Sequence, residues 1–137
     1  MRKYNSIHTI LTIAIAAVWL INGFFCKLIN LVPRHQVIVA RILGEDHSHI
    51  YTEIIGALEV LMFVWIISRV KPILCAIIQI IVIATMNLVE FIMAPDLLLF
   101  GKANGAVALF FIAIILLNEF IFRKSKVSTK NTAYALN

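Results

Sequence analysis

Hydrophobic residues run along this chain in four long blocks separated by short polar stretches. The blocks cover residues 7–28, 51–68, 73–93 and 105–122. None alternates with the period of two that marks a half-buried strand. Each is long enough to cross a bilayer core of about 30 Å, for which a helix needs roughly 17–25 residues. Ile, Val, Phe and Thr favour strands in water, but within lipid only helices and closed barrels satisfy the backbone. The pattern predicts an all-α fold: a four-helix transmembrane bundle, antiparallel, formed by residues 1–126 as a single membrane domain. Residues 127–137 are expected to be a frayed tail. The first block is read as a retained span, because its apolar run exceeds the roughly 7–15 residues of a signal-peptide core.

The connections differ in kind. Residues 69–72, RVKP, allow only a tight antiparallel hairpin, with Pro72 suited to a first helical turn. Residues 29–50 form the one substantial connection. Within it, residues 36–43 predict a short helix at the membrane interface, ended by Gly44 and followed by the polar turn 45–49.

Composition narrows the class. Of 137 residues, 62% are hydrophobic and 14% charged, against roughly 45–50% and about 25% in soluble domains. Mean hydropathy is +0.99. A soluble domain this small could not bury so much apolar surface, which excludes a soluble enzyme, a disordered tail and a nucleic-acid partner. The excess of 12 basic over 7 acidic residues matters through its placement. Arg2, Lys3, Arg69, Lys71, Arg123, Lys124, Lys126 and Lys130 flank the N-terminus, the second connection and the tail, with no acidic neighbour. Lys27, Arg34, Arg41 and Lys102 on the opposite side are mixed with Glu45, Glu53 and Asp96. Both termini are therefore expected in the cytoplasm.

Polar side chains inside the spans carry the candidate chemistry, since an ionisable group in lipid is costly. At about 1.5 Å per residue, Glu59 lies roughly 12 Å below Tyr51, near mid-membrane. Asn22, Lys27, Asn87, Glu90 and Asn104 gather in the outer half. Gln79, Asn87 and Glu90 fall within about 80° of one another around their helix. Trp19, Asn22 and Cys26 share one side of the first span, with Lys27 at its edge. Gly56, one turn before Glu59, permits close helix approach. The expected result is a polar pocket lined by Asn22, Lys27, Glu59, Asn87 and Glu90, with Trp19, Gln79 and Asn104 as further candidates. One cation cannot neutralise Glu53, Glu59 and Glu90 together, so Glu59 is expected to be a neutral acid. Asn118 and Glu119 are expected to serve a snorkelling salt bridge beside Arg123.

Other chemistry is sparse. His47-x-His49 with Asp46 and His35 is a loose metal-ligand pattern, and no metal is assigned to it. Cys26 and Cys75 lie at opposite depths, beyond disulfide reach. No phosphate loop, nucleophile elbow or nucleotide fingerprint is present, and no catalytic residue is assigned.

The runs WLINGFFCKLINLVPRHQVIVARIL, EIIGALEVLMFVW and MNLVEFIMAPDLLLFGKAN resemble the DoxX-like family of small bacterial membrane proteins. G-x-L-E at Gly56 and Glu59, and M-N-x-x-E-F followed by A-P-D-L-L at Met86, Asn87, Glu90, Pro95 and Asp96, carry the likeness. It extends over Trp19, Asn22, Gly23, Lys27, Pro33, Arg34, His35, Trp65, Gln79 and Asn104. The resemblance implies a multi-pass protein of the bacterial cytoplasmic (inner) membrane. The family name derives from a subunit associated with a thiosulfate:quinone oxidoreductase. Three functions are weighed. The first is non-enzymatic binding of a small amphipathic ligand, a lipid or quinone, or of a membrane partner. The second is a subunit of a quinone-linked oxidoreductase with a redox-enzyme partner. The third is a proton-coupled exporter acting as a homo-oligomer, a dimer. The first is preferred, with no resident cofactor other than a quinone as ligand.

Overall fold

The computed structural model describes residues 2–135, and the side chains of residues 6–123 and 130–135. Helix α1 is Arg2–Leu20, prolonged without a break by a π-helical segment, Ile21–Leu28. Helix α2 is Arg34–Leu43, α3 is Ser48–Ser68 and α4 is Pro72–Met93. Two single 3-10 turns, Pro95–Leu97 and Gly101–Ala103, lead into α5, Asn104–Leu116, which continues as a second π-helical segment, Leu117–Phe122. Helix α6 is Arg123–Ala135. No strand occurs among the described residues. Where the sequence predicts a frayed tail, the backbone stays helical to Ala135, and residues 136–137 lie outside the described ones. The side chains of Arg2, Lys3, Lys124 and Lys126, part of the charge pattern behind the expected orientation, also lie outside them.

Four helices are long and apolar enough to cross a membrane: Ser6–Leu28, Ser48–Ser68, Pro72–Met93 and Gly101–Phe122. Antiparallel packing brings both termini and the α3–α4 turn to one end, the terminal end. Helix α2 and the α4–α5 connection occupy the other, the α2 end. The α3–α4 turn is built by Arg69 and Lys71 in left-handed conformation, φ 57° and 44°. It is braced by the Trp65 indole N–H donating to Val70 O at 2.7 Å, and Pro72 starts α4 where its missing N–H costs nothing. Helix α2 stops at Gly44, φ 102°, a conformation that glycine adopts without strain.

The core is narrow and contains small residues. Ala16, Ala76 and Ala108 pack with Ile15, Trp19, Met62, Ile66, Cys75, Ile83 and Ile115 from all four spans. Small side chains let transmembrane helices approach, which replaces the hydrophobic drive that lipid does not supply. Large apolar residues such as Leu58, Leu61, Leu109 and Phe110 point outward, as expected where the solvent is acyl chain. Thr12 and Thr52 hydroxyls donate back to His8 O and Ser48 O one turn earlier, at 2.8 and 2.7 Å, which satisfies them inside their own helices. Helix α3 packs along α1 and its π segment, and α4 packs on α5. Helix α1 meets the α5 helix through the latter's π-helical end, so the two diverge toward the α2 end.

Candidate functional site

Two helix backbones come together on the α1–α3 seam. A Cβ added at Gly56 would fall 2.8 Å from Gly23 O, and one added at Gly23 would fall 2.6 Å from Gly56 O. Backbones meet there because neither position has a side chain. One turn on, Lys27 and Glu59 face each other from the same two helices. Lys27 Nζ donates to both Glu59 oxygens, at 2.9 and 2.8 Å, with side chains 6% and 8% exposed. The wider i→i+5 turn of the π segment keeps Gly23 and Lys27 both buried against α3. The Glu59 expected to be a neutral acid is thus found with a cation at both of its oxygens.

Beyond the pair opens a cavity of about 740 Å³ between α1, α2, α4 and α5, within the roughly 300–1,000 Å³ typical of ligand pockets. Its wall includes Trp19, Asn22, Lys27, Glu59, Asn87, Glu90 and Asn104. Seven of the eight sequence-predicted positions are thus brought together. The eighth, Gln79, is not on this wall. It is 4% exposed and lies deeper, accepting from the Trp19 indole N–H at 2.9 Å while its amide reaches Cys75 Sγ at 3.6 Å. Gln79 shares the helix face of Asn87 and Glu90 but sits about two to three turns nearer the terminal end, which takes it off this wall. The structure adds Cys26, Arg34 and His35 to the wall. Arg34 and His35 precede the stretch 36–43 that the sequence predicts as helical; α2 starts at Arg34 and brings both onto the wall.

Hydrogen bonds sort the lining into satisfied and unsatisfied groups. Asn87 donates to Ile83 O at 2.8 Å and accepts from the Asn104 amide at 3.2 Å. Arg34 is half-buried, and its Nε is shielded from solvent without a partner. Glu90, half-buried on α4, has no ion-pair partner among the described residues. The apolar side of the cavity reaches the protein's surface. Val18, Val107 and Phe110 line it and are 39%, 50% and 69% exposed, so its rim opens between the diverging α1 and α5 helices toward the acyl chains.

Two groups outside the spans have displaced titration. His35 is pushed down to about 4 by burial and by the nearby Lys27 and Arg34 charges, so it is a neutral imidazole at the cavity wall. Asp96 is held below its usual value chiefly by the hydrogen bond from Arg41. That exposed ion pair ties α2 to the α4–α5 connection.

The terminal end holds a second polar cluster. Glu119 is buried and pairs with Arg69, whose two guanidinium nitrogens donate at 2.6 and 3.1 Å, rather than with Arg123 as expected. The left-handed turn at Arg69 sends its side chain back into the bundle. Arg69 Nη2 also lies 3.3 Å from His8 Nε2. Because a guanidinium only donates, Nε2 accepts and His8 Nδ1 carries the proton, which it shares with Asn118 Oδ1 at 3.0 Å and Asn118 O at 3.2 Å. The Asn118 amide donates to Thr12 Oγ1 at 3.0 Å. His8, Thr12 and Arg69 escape sequence reasoning, although His8 and Thr12 stand one turn apart on the first span at the depth of Asn118 and Glu119. This network joins α1, the π-helical end of α5 and the α3–α4 hairpin by interlocking bonds and borders a void of about 10 Å³, the size of a single water site.

Among the described residues no group of three or more His, Cys, Asp or Glu is placed to hold a metal ion. His49 faces Glu53 at 3.6 Å on the surface. Cys26 and Cys75 are free thiols. No curated protein and no solved structure matches the chain. The DoxX-like family does, over residues 16–118, a stretch that contains the Gly23–Gly56 seam, the Lys27–Glu59 pair and the whole polar wall of the cavity. This four-span membrane protein belongs to the DoxX-like family.

Proposed function

We propose that the chain is a non-enzymatic membrane binding protein that takes a small amphipathic ligand, a lipid or a quinone, into the cavity at the α2 end. The observation that supports it most is the cavity itself: a polar wall backed by a buried ion pair, beside an apolar rim open between α1 and α5. A bundle held together by interhelical hydrogen bonds alone has no use for such a volume. The distribution of basic residues along the sequence supports an α2 end on the outer side of a bacterial cytoplasmic membrane, from whose outer leaflet the ligand would be drawn.

The test is mass spectrometry of amphiphiles that co-purify with the protein from its native membrane. A recurrent amphiphile is expected with the unaltered chain. It should be lost when Asn22→Phe fills the cavity and kept in Glu119→Gln, which alters only the terminal end. Identical lipid profiles for all three would overturn the reading. A quinone as the recurrent species would place the chain beside a redox enzyme.

A further inference from the structure

Only some of the charges on the cavity wall cancel one another by contact. Lys27 and Glu59 satisfy each other, and Asn87 and Asn104 are bonded together. Two ionic groups are left. The Arg34 guanidinium has a buried Nε with no partner, and the Glu90 carboxylate has no ion-pair partner among the described residues. Both line one cavity without lying within ion-pair distance of each other. Both sit toward the α2 end: Arg34 opens α2, and Glu90 is one turn from the end of α4. The exposed apolar rim at Val18, Val107 and Phe110 lies beside them along the spans.

A head with one charge would answer one of these groups and leave the other desolvated, which costs more than the first contact returns. An uncharged head would leave both. We propose that the cavity selects an amphiphile with a zwitterionic head, its anionic group meeting Arg34 and its ammonium meeting Glu90, with its chain leaving between α1 and α5. A guanidinium suits phosphate or carboxylate because it donates in a planar fork. A primary ammonium suits Glu90 because it brings N–H donors to an acceptor-only group. Zwitterionic phospholipid heads of the ethanolamine type carry this pair. The inference rests on the cavity being a binding site, as proposed above.

The experiment uses the full chain in maltoside micelles, which carry no charge, with Trp65→Phe so that fluorescence reports from Trp19 on the cavity wall. Four probes share one chain length: lauroyl lysophosphatidylethanolamine, laurate, laurylamine and lauryl alcohol. The zwitterion is expected to bind at least about tenfold more tightly than the other three. Arg34→Gln should reduce the zwitterion to the level of laurylamine, and Glu90→Gln to the level of laurate. Circular dichroism confirms that both variants fold, since neither residue holds the α1–α3 seam. Four probes binding alike, or laurate or laurylamine matching the zwitterion, would overturn the headgroup assignment and leave the binding site standing. No binding by any probe, with Trp19 insensitive throughout, would overturn both.

Discussion

Gly23→Ala probes the seam that positions the buried ion pair. The added Cβ would sit 2.6 Å from Gly56 O, 2.8 Å from Glu59 Cβ and 3.0 Å from Val60 N. Ordinary contact begins at 3.4 Å, so α1 and α3 would have to separate by about 0.8 Å, the difference from the closest of these. Two of the three obstacles are backbone atoms, which no change of rotamer can move. Overpacking of this kind costs about 1–3 kcal/mol. Alanine in place of a helical glycine returns about 0.5–1 kcal/mol, which leaves a net loss of about 1 kcal/mol at mid-range and at most about 2.5 kcal/mol. The separation would also lengthen the Lys27–Glu59 contacts, now 2.9 and 2.8 Å. Gly105→Ala is the matched control, because a Cβ there meets nothing within 4 Å, and it should be neutral or stabilising. Thermal unfolding in micelles, followed by helical circular dichroism, reads both. If Gly23→Ala melts at or above the temperature of the unaltered chain, the close-packed seam is wrong.

Lys27→Met leaves the Glu59 carboxylate buried alone, at a cost of about 3–5 kcal/mol, whereas Lys27→Met with Glu59→Met should recover most of that stability; a double variant weaker than the single would contradict the pairing. For His35, the folded protein resists protonation down to pH of about 4, while the unfolded chain takes up the proton near the ordinary value of 6.5. Its contribution to stability is therefore full above 6.5 and lost as pH falls from there toward 4. His35→Gln should show a shallower loss of melting temperature over that window, and equal slopes would refute the neutral, buried imidazole. Orientation is read by cysteine labelling in a chain lacking Cys26 and Cys75. An impermeant thiol reagent added to intact cells should modify Asp46→Cys and spare Asn131→Cys, and the reverse pattern would invert the topology.

The four spans were legible because membrane helices declare themselves by length and apolarity, and their ends moved only a few residues in the structure. Asn22, Lys27, Glu59, Asn87, Glu90 and Asn104 were legible as a group because a costly polar residue in lipid must find company, and depth with helical angle says roughly where. Two kinds of information were not in that arithmetic. Uniform turns cannot register the π-helical segment from Ile21, which is a property of how α1 lies against α3 at two glycines. Partner choice was also hidden. Glu119 turned to Arg69 and not to Arg123, because the left-handed hairpin residue approaches from another helix, and sequence distance carries no trace of that. Gln79 had its face and its inner-to-middle depth legible, but not that the Trp19 indole would hold it below the cavity floor.

The lateral rim at Val18, Val107 and Phe110 changes what an affinity for this protein means. A molecule arriving there has already left water, and its abundance is a mole fraction among lipids rather than a molarity. Each methylene of its tail adds about 0.8 kcal/mol to that partitioning before any protein atom is touched. Lengthening the tail would therefore tighten an apparent constant referred to the aqueous phase, although the cavity gained nothing. Adding bare bilayer at fixed ligand would weaken it by dilution in two dimensions. Discrimination by Arg34, Glu90 and their neighbours is visible only when competitors are compared at equal membrane occupancy.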